Sequence, residues 1–283
     1  MKKIFIGVGI VSLLISCVPT QVNLAFPTPA IQAAENHGVA IAVYYFMGEE
    51  EYNKRFAEMK TAKRLSLQYL EQMAFLGRLE SFEPRIPGAE YVIAYLGAGG
   101  IIKDDHVITV RHLFVHDENT VASRIWVMQR EALMPIEASL VAISAGKEPA
   151  DDYAVLKLSV PLNLPGLKIA RSEAIEGEPI VFVGTTGGLA FHTRFSRATR
   201  ASRYFNVDSQ GYLHLSWWED FEYLMTYPGG PGDSGGIIVN ANGELVGIMY
   251  CGLEVYAECY VFANPINHVL EFLTDNELEH LAR

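Results

Sequence analysis

Cysteine is scarce in this 283-residue chain: there are three, with no CxxC pair among them. Three cysteines cannot build the multi-disulfide framework of a small secreted scaffold, and their spacing gives no zinc site. Basic residues are also few, 22 Lys and Arg against 33 Asp and Glu, for a net charge of −11 with no basic block. Such a surface repels phosphate backbones, which argues against nucleic acid as a partner. Charged residues make up only 19% of the chain and apolar ones 50%, so it is not a disordered polymer. Beyond the N-terminus no apolar run approaches the 18 residues a membrane-spanning helix needs. Repeats and low-complexity segments are missing too.

What is present begins with an address. Lys2 and Lys3 precede an apolar stretch from Ile4 to Ile15. Residues 1–16 therefore read as a signal peptide, too short to span a bilayer. Leu14-Ile15-Ser16-Cys17 then resembles a bacterial lipobox. That resemblance implies cleavage before Cys17, a lipid on its sulfur, and an extracytoplasmic protein tethered to a periplasmic or cell-surface membrane face. An ordinary secretory signal with a chance cysteine is the alternative.

Residues 17–89 are expected to form a tether and an N-terminal helical extension. Residues 18–34 are polar, Pro-bearing and aperiodic, and Val39–Met47 is a β-branched and aromatic run that suits a strand. Over 49–76 the period changes. Tyr52, Phe56, Met59, Ala62, Leu65, Tyr69, Met73 and Leu76 recur at threes and fours, predicting an amphipathic helix stopped at Gly77. From Tyr91 onward short apolar runs alternate with turns, about six on each side of Pro161–Pro165. That pattern predicts an all-β architecture of barrels or a sandwich, not a parallel sheet with crossover helices. Pro265 to Leu281 reads as a C-terminal helix.

The most informative segment is Gly232-Asp233-Ser234-Gly235-Gly236. A serine hydroxyl attacks poorly until a base takes its proton, and flanking glycines let a substrate carbonyl approach the backbone. The same pattern fits the strand–turn–helix elbow of α/β-hydrolases. Here Ile237–Asn240, the Asn242-Gly243 turn and Leu245–Tyr250 follow, which is strand–turn–strand. The order His…Asp…Ser fits instead. His112 ends the run Val107–Arg111, and Asp152 opens the run Tyr153–Leu158. His112 and Asp152 then fall in the first set of runs and Ser234 in the second.

At this point the chain resembles trypsin-like serine endopeptidases, in their bacterial extracytoplasmic branch. Tyr95–Ile102 is similar to that branch's strand before the histidine, Gly177–Gly184 to the opening strand of its second barrel, and Tyr260–Ile266 to its last strand entering a helix. The resemblance covers about residues 90–270. It implies two six-stranded antiparallel β-barrels, 90–165 and 166–283, with the active site between them and the helices appended. It implies a peptide-bond hydrolase acting on proteins or peptides through an acyl-enzyme, with no metal or organic cofactor. Ser234 would be the nucleophile, His112 the base, Asp152 the residue orienting His112, and the N–H groups of Gly232 and Ser234 the oxyanion hole. Pro228, Tyr250, Cys251 and Gly252 would line the specificity pocket. Val110-Arg111 before the histidine, Ile237 after the double glycine, and the N-terminal helix depart from the family pattern.

Several alternatives stay open. Asp151 could replace Asp152. A catalytically idle member of the fold, serving as a binding or sensor lipoprotein, would share these motifs. With Cys17 lipidated, Cys251 and Cys259 could pair across a hairpin in an oxidising compartment or remain two thiols. No acidic residue lies between Thr226 and Pro231, so a small or aliphatic side chain before the scissile bond is expected rather than Arg or Lys. Finally, Arg85-Ile86 resembles an activation cut site. A new terminus at Ile86 could pair with Asp233; alternatively, local groups satisfy that acid.

Overall fold

The computed structural model describes residues 28–47, 50, 53–54, 91–115, 124–132, 134–146, 151–186, 190–198, 200–201, 204–207, 213–216, 222–226, 232–255 and 258–282. The signal peptide, Cys17, the Arg85-Ile86 bond and Pro228 lie outside the described residues, as does the predicted helix at 49–76 apart from three helical positions, Glu50, Asn53 and Lys54.

The fold is mostly β. An N-terminal helix, α1 (Thr28–His37), leads into β1 (Gly38–Met47), β2 (Tyr91–Lys103), β3 (His106–Thr109), β4 (Arg124–Gln129), β5 (Ile136–Ile143) and β6 (Ala154–Leu158). These six strands close into a barrel in the order β1-β2-β3-β6-β5-β4. After the Pro161–Pro165 connection come β7 (Pro179–Thr186), β8 (Ala190–Arg197), β9 (Arg200–Ala201), β10 (Tyr204–Val207), β11 (Leu213–Ser216), β12 (Glu222–Thr226), β13 (Ile237–Asn240), β14 (Leu245–Val255) and β15 (Glu258–Pro265). Seven of them form one sheet in the order β8-β7-β13-β14-β15-β12-β9, with β10 and β11 paired separately. Helix α2 (Ile266–Asp275) follows β15 directly and buries Ile266, Val269, Phe272 and Leu273 on one face. No described helix is long and apolar enough to cross a membrane.

The N-terminal region corrects the sequence reading twice. Residues 28–34, expected within an aperiodic tether, belong to a helix that runs from Thr28 to His37. Pro29 sits in the first turn, where its missing N–H costs nothing, and Ala30 and Ala34 are fully buried. The barrel also starts at Gly38 rather than at residue 90. Val39, Ile41, Val43 and Tyr45 are buried in the core, and each of the three aliphatic side chains contributes about 1.5–3 kcal/mol. β1 pairs β2 on one edge and β4 on the other, so it closes the barrel. Strand β2 runs without interruption from Tyr91 to Lys103, because Gly97-Ala98-Gly99-Gly100 stays extended. The glycines there are not a break. A Cβ at Gly100 would overlap Ile237 of β13, so the missing side chain is what lets the second sheet lie against β2.

The barrel and the seven-stranded sheet are also tied by α1. Glu35 meets Arg130, just past β4, and Thr193 of β8. The His37 ring lies between the carbonyls of Ala33 and Pro165 at 2.6 and 2.8 Å. The Thr193 hydroxyl first, and then Arg130, hold the Glu35 carboxyl below the ordinary range for a glutamate.

Candidate functional site

β3 ends at Thr109, and the chain turns through one 3-10 turn, Arg111–Leu113. Buried Val110 precedes the turn, and Leu113 and Phe114 are buried at its end. The Tyr45 hydroxyl of β1 donates to the Leu113 carbonyl at 2.8 Å. With both ends anchored, His112 projects between them with 43% of its side chain exposed. The Asp152 side chain is 12% exposed and grips this histidine at two points. Its Oδ1 accepts the His112 backbone N–H at 2.8 Å, and its Oδ2 lies 2.6 Å from His112 Nδ1. An ionised carboxylate only accepts, so the proton of the neutral ring belongs on Nδ1. Nε2 is then left with a lone pair, ready to act as a base.

The two adjacent aspartates before β6 point to different partners. Asp151 turns the other way and accepts the Gly146 N–H at 2.8 Å. The Ser144 hydroxyl donates to the Asp151 carbonyl and accepts the Tyr153 N–H. Tyr153 is buried and stacks on Phe272 of α2, centroids 5.4 Å apart. Asp152 is thus flanked by the bonded Asp151 on one side and an aromatic anchor on the other. In the sequence Arg111 stands out only as a departure from a family pattern. In the structure its Nε donates to the Ser144 carbonyl at 3.1 Å, and its guanidinium covers Gly146. Arg111 thereby ties the histidine turn to the aspartate loop.

Ser234 lies half-buried in the turn between Gly232 and Gly235, whose φ values are +97° and +87°. The Ala98 N–H of β2 donates to the Ser234 carbonyl at 2.7 Å. A Cβ at Gly97 would stand 3.0 Å from that carbonyl oxygen and would overlap the Leu113 side chain. The serine turn and the residue after His112 therefore converge on Gly97. Gly235 reaches the same hairpin, where a Cβ would overlap the Ala98 carbonyl and the Thr109 hydroxyl. The Thr185 hydroxyl of β7 lies 2.9 Å from the Gly232 carbonyl and 3.0 Å from the Gly97 carbonyl. Nothing in the local sequence around Thr185 marks it for this role.

Of the remaining expected positions, Tyr250 is buried in β14, and Cys251 and Gly252 follow it on the same strand. The disulfide expectation is corrected by the strand register. Cys251 stands opposite Phe262 and Cys259 opposite Glu254. The two cysteines are three residues out of step, roughly 10 Å along the ladder, beyond the ~7 Å between Cα atoms that a disulfide spans.

Residues 97–248 match the family model of the trypsin-like peptidase domain. The chain is 31% identical over 163 residues to the periplasmic serine endoprotease DegP of Escherichia coli, covering 57% of this chain and 31% of DegP. It is 30% identical over 148 residues to a serine protease HtrA-like protein of Staphylococcus epidermidis, covering 49% of this chain and 24% of that one. The chain thus spans about a third or less of the length of these curated relatives. Among solved structures, the Rv3671c protease of M. tuberculosis in its active form superposes with a TM-score of 0.55 at 21% identity, covering 87% of this chain and 83% of that one. The serine endoprotease from Yersinia pestis gives 0.53 at 19%, covering 88% and 65%. The structural likenesses speak for the fold alone. The match of the domain model over more than half of the chain is decisive: the chain belongs to the trypsin-like peptidase family.

Proposed function

We propose that the protein is a serine endopeptidase that hydrolyses peptide bonds through His112, Asp152 and Ser234. The observation that carries this reading is the two-point grip of Asp152 on His112, which leaves Nε2 as the free base of the ring. Ser234 Oγ attacks the scissile carbonyl as His112 Nε2 takes its proton. The oxyanion of the tetrahedral intermediate rests on the Gly232 and Ser234 amides, a donor of this kind being worth about 3 kcal/mol of barrier. His112 then protonates the leaving amine, and water repeats the sequence on the acyl-enzyme. In this reading the seven-stranded sheet with its partner ribbon is the second barrel, and the site lies between the two barrels. The names of the DegP and HtrA-like relatives support the reaction class.

The test is labelling of purified protein with a fluorophosphonate. Wild type should label at Ser234, and Ser234→Ala should not. A folded wild type that stays unlabelled would convert the protein into a catalytically idle binding or sensor member of the fold.

We place the protein outside the cytoplasm, held by lipid on Cys17. The N-terminal pattern of Lys2 and Lys3, the apolar run and Leu14–Cys17 supports this, and the name of periplasmic DegP supports the compartment. Cys17→Ala should abolish incorporation of labelled palmitate; unchanged incorporation removes the anchor. Substrates are proteins or peptides with a small or aliphatic residue before the cut. Strong cleavage of a peptide library after Arg or Lys would overturn that preference.

A further inference from the structure

Strand pairing stops short of His112 and Asp152. Thr109, the last residue of β3, and Ile143, the last of β5, both stand opposite Ala154, the first of β6. His112 lies beyond the end of β3, and Asp152 lies before the start of β6. The strands alone therefore leave the two side chains free to shift against each other. A misplacement of about 1 Å in a reacting group can cost roughly a hundredfold in rate.

One buried residue, Ser144, bridges that gap. Its hydroxyl donates to the Asp151 carbonyl at 2.8 Å and accepts the Tyr153 N–H at 3.0 Å. Those two groups belong to the peptide planes on either side of the Asp152 Cα. Peptide planes are rigid, so tying both to one oxygen fixes the backbone angles of Asp152 and the direction in which its side chain leaves. The Ser144 N–H also donates to the Tyr153 carbonyl at 2.9 Å. The Ser144 carbonyl accepts the Nε–H of Arg111, the residue before His112, at 3.1 Å. One serine is thus bonded on both sides of the acid and next to the base. The planar guanidinium donates in its plane while its face packs. Here it lies over Gly146, at φ +67°, where a Cβ would stand 2.6 Å from Arg111 Cζ.

We propose that Arg111 and Ser144 are positioning residues of the reaction. Ser144 sets the direction of the Asp152 carboxylate, and Arg111 fixes the histidine turn against it. Arg111, which departs from the family pattern, then has a task particular to this chain. This inference deepens the reading of His112, Asp152 and Ser234 as the reacting set and rests on it.

The test uses the full chain and a matched pair of substitutions. In glutamine the amide nitrogen stands as many bonds from Cα as Arg Nε does; in methionine a methyl group stands there. Both remove the charge, and only glutamine keeps the donor. Arg111→Met should lower kcat and the rate of fluorophosphonate labelling roughly 10- to 50-fold with KM nearly unchanged, since the loss falls on the arrangement of reacting groups. Arg111→Gln should stay within about threefold of wild type. On an Asp152→Asn background, Arg111→Met should cost less than about threefold further, because the carboxylate it helps to place is gone. A side chain that only stabilises the fold would give neither the kcat-against-KM split nor that loss of additivity. Wild-type kcat in folded Arg111→Met, equal losses in the methionine and glutamine variants, or the same loss on both backgrounds overturns the inference. Should Arg111→Met fail to fold, Ser144→Ala is compared on the same two backgrounds, and no loss or a fully additive loss overturns it. With neither folded, Arg111→Gln as slow as Asp152→Asn overturns it. A wild type that does not label, or Asp152→Asn as active as wild type, refutes the reacting set itself instead.

Discussion

Two carboxylate–imidazole pairs, His112 with Asp152 in the barrel and His192 with Asp233 in the second sheet, sit in different surroundings. In the first barrel Asp152 meets His112 at 2.6 Å, and the histidine is 43% exposed. In the second sheet Asp233 meets His192 at 2.8 Å, and the histidine is 14% exposed. The chemical groups are the same. In the first pair the ring sits on a turn and is partly exposed, as the base proposed above must be. In the second the ring is packed on Phe182 and largely enclosed. Burial, not residue type, separates the two pairs.

The largest effects should come from the exposed pair. Ser234→Ala or His112→Ala should each lower turnover by several powers of ten, and the double variant should be hardly worse, because such groups act as one unit. Asp152→Asn should cost roughly 10³–10⁴-fold, since an amide can favour the wrong ring tautomer. Asp151→Asn removes the charge of a carboxylate that accepts the Gly146 N–H rather than facing His112, and should cost about tenfold at most. Steady-state kinetics of the two asparagine variants check this, and the reverse ranking would reassign the orienting acid.

A second comparison sets two glycines with left-handed backbones against each other. Gly235→Ala meets the Ala98 carbonyl and the Thr109 hydroxyl at φ +87° and should destabilise by about 3–5 kcal/mol, strain and overlap combined. Gly177→Ala, at φ +85° with open space around it, should cost only about 1 kcal/mol. Denaturant unfolding measures both, and similar losses would show that the contact of the serine turn with β2 is loose.

The smallest expected effect tests α1 as the tie between halves. The Glu35 carboxyl is held below its ordinary range, first by Thr193 and then by Arg130. A depressed carboxylate contributes stability above its unfolded pKa near 4.3 and loses it as pH falls through the folded value. Glu35→Gln should therefore cost about 0.5–1 kcal/mol near neutral pH, as expected for a half-exposed group, with the gap to wild type closing below pH ~4. A gap that persists at low pH would mean that Glu35 acts through packing.

Much of this was legible in the chain itself. His112, Asp152 and Ser234 stand out through order and context, because short apolar runs with turn signals predict strands whatever their partners are. What stayed hidden involved residues far apart in sequence. β1 was readable as a strand but not as a barrel member, since residues 48–90 separate it from β2. Helix α1 was missed because two buried alanines, Ala30 and Ala34, make a stripe too slight to register as amphipathic. The Cys251 and Cys259 expectation failed because a hairpin reading does not specify register, and a shift of a few residues removes the pairing.

By itself the sequence determined the strand-rich fold, the family and the three residues proposed for the chemistry, since these depend on local period, turn residues and motif order. Only the tertiary structure decided which aspartate faces His112, that Gly97 and Gly235 are where the halves touch, and that His192 faces Asp233. Those facts depend on which strands lie side by side and how deeply each side chain is enclosed. His192 and Asp233 stand 41 residues apart, and only the folding of β8 and the serine turn onto β7 makes them a pair.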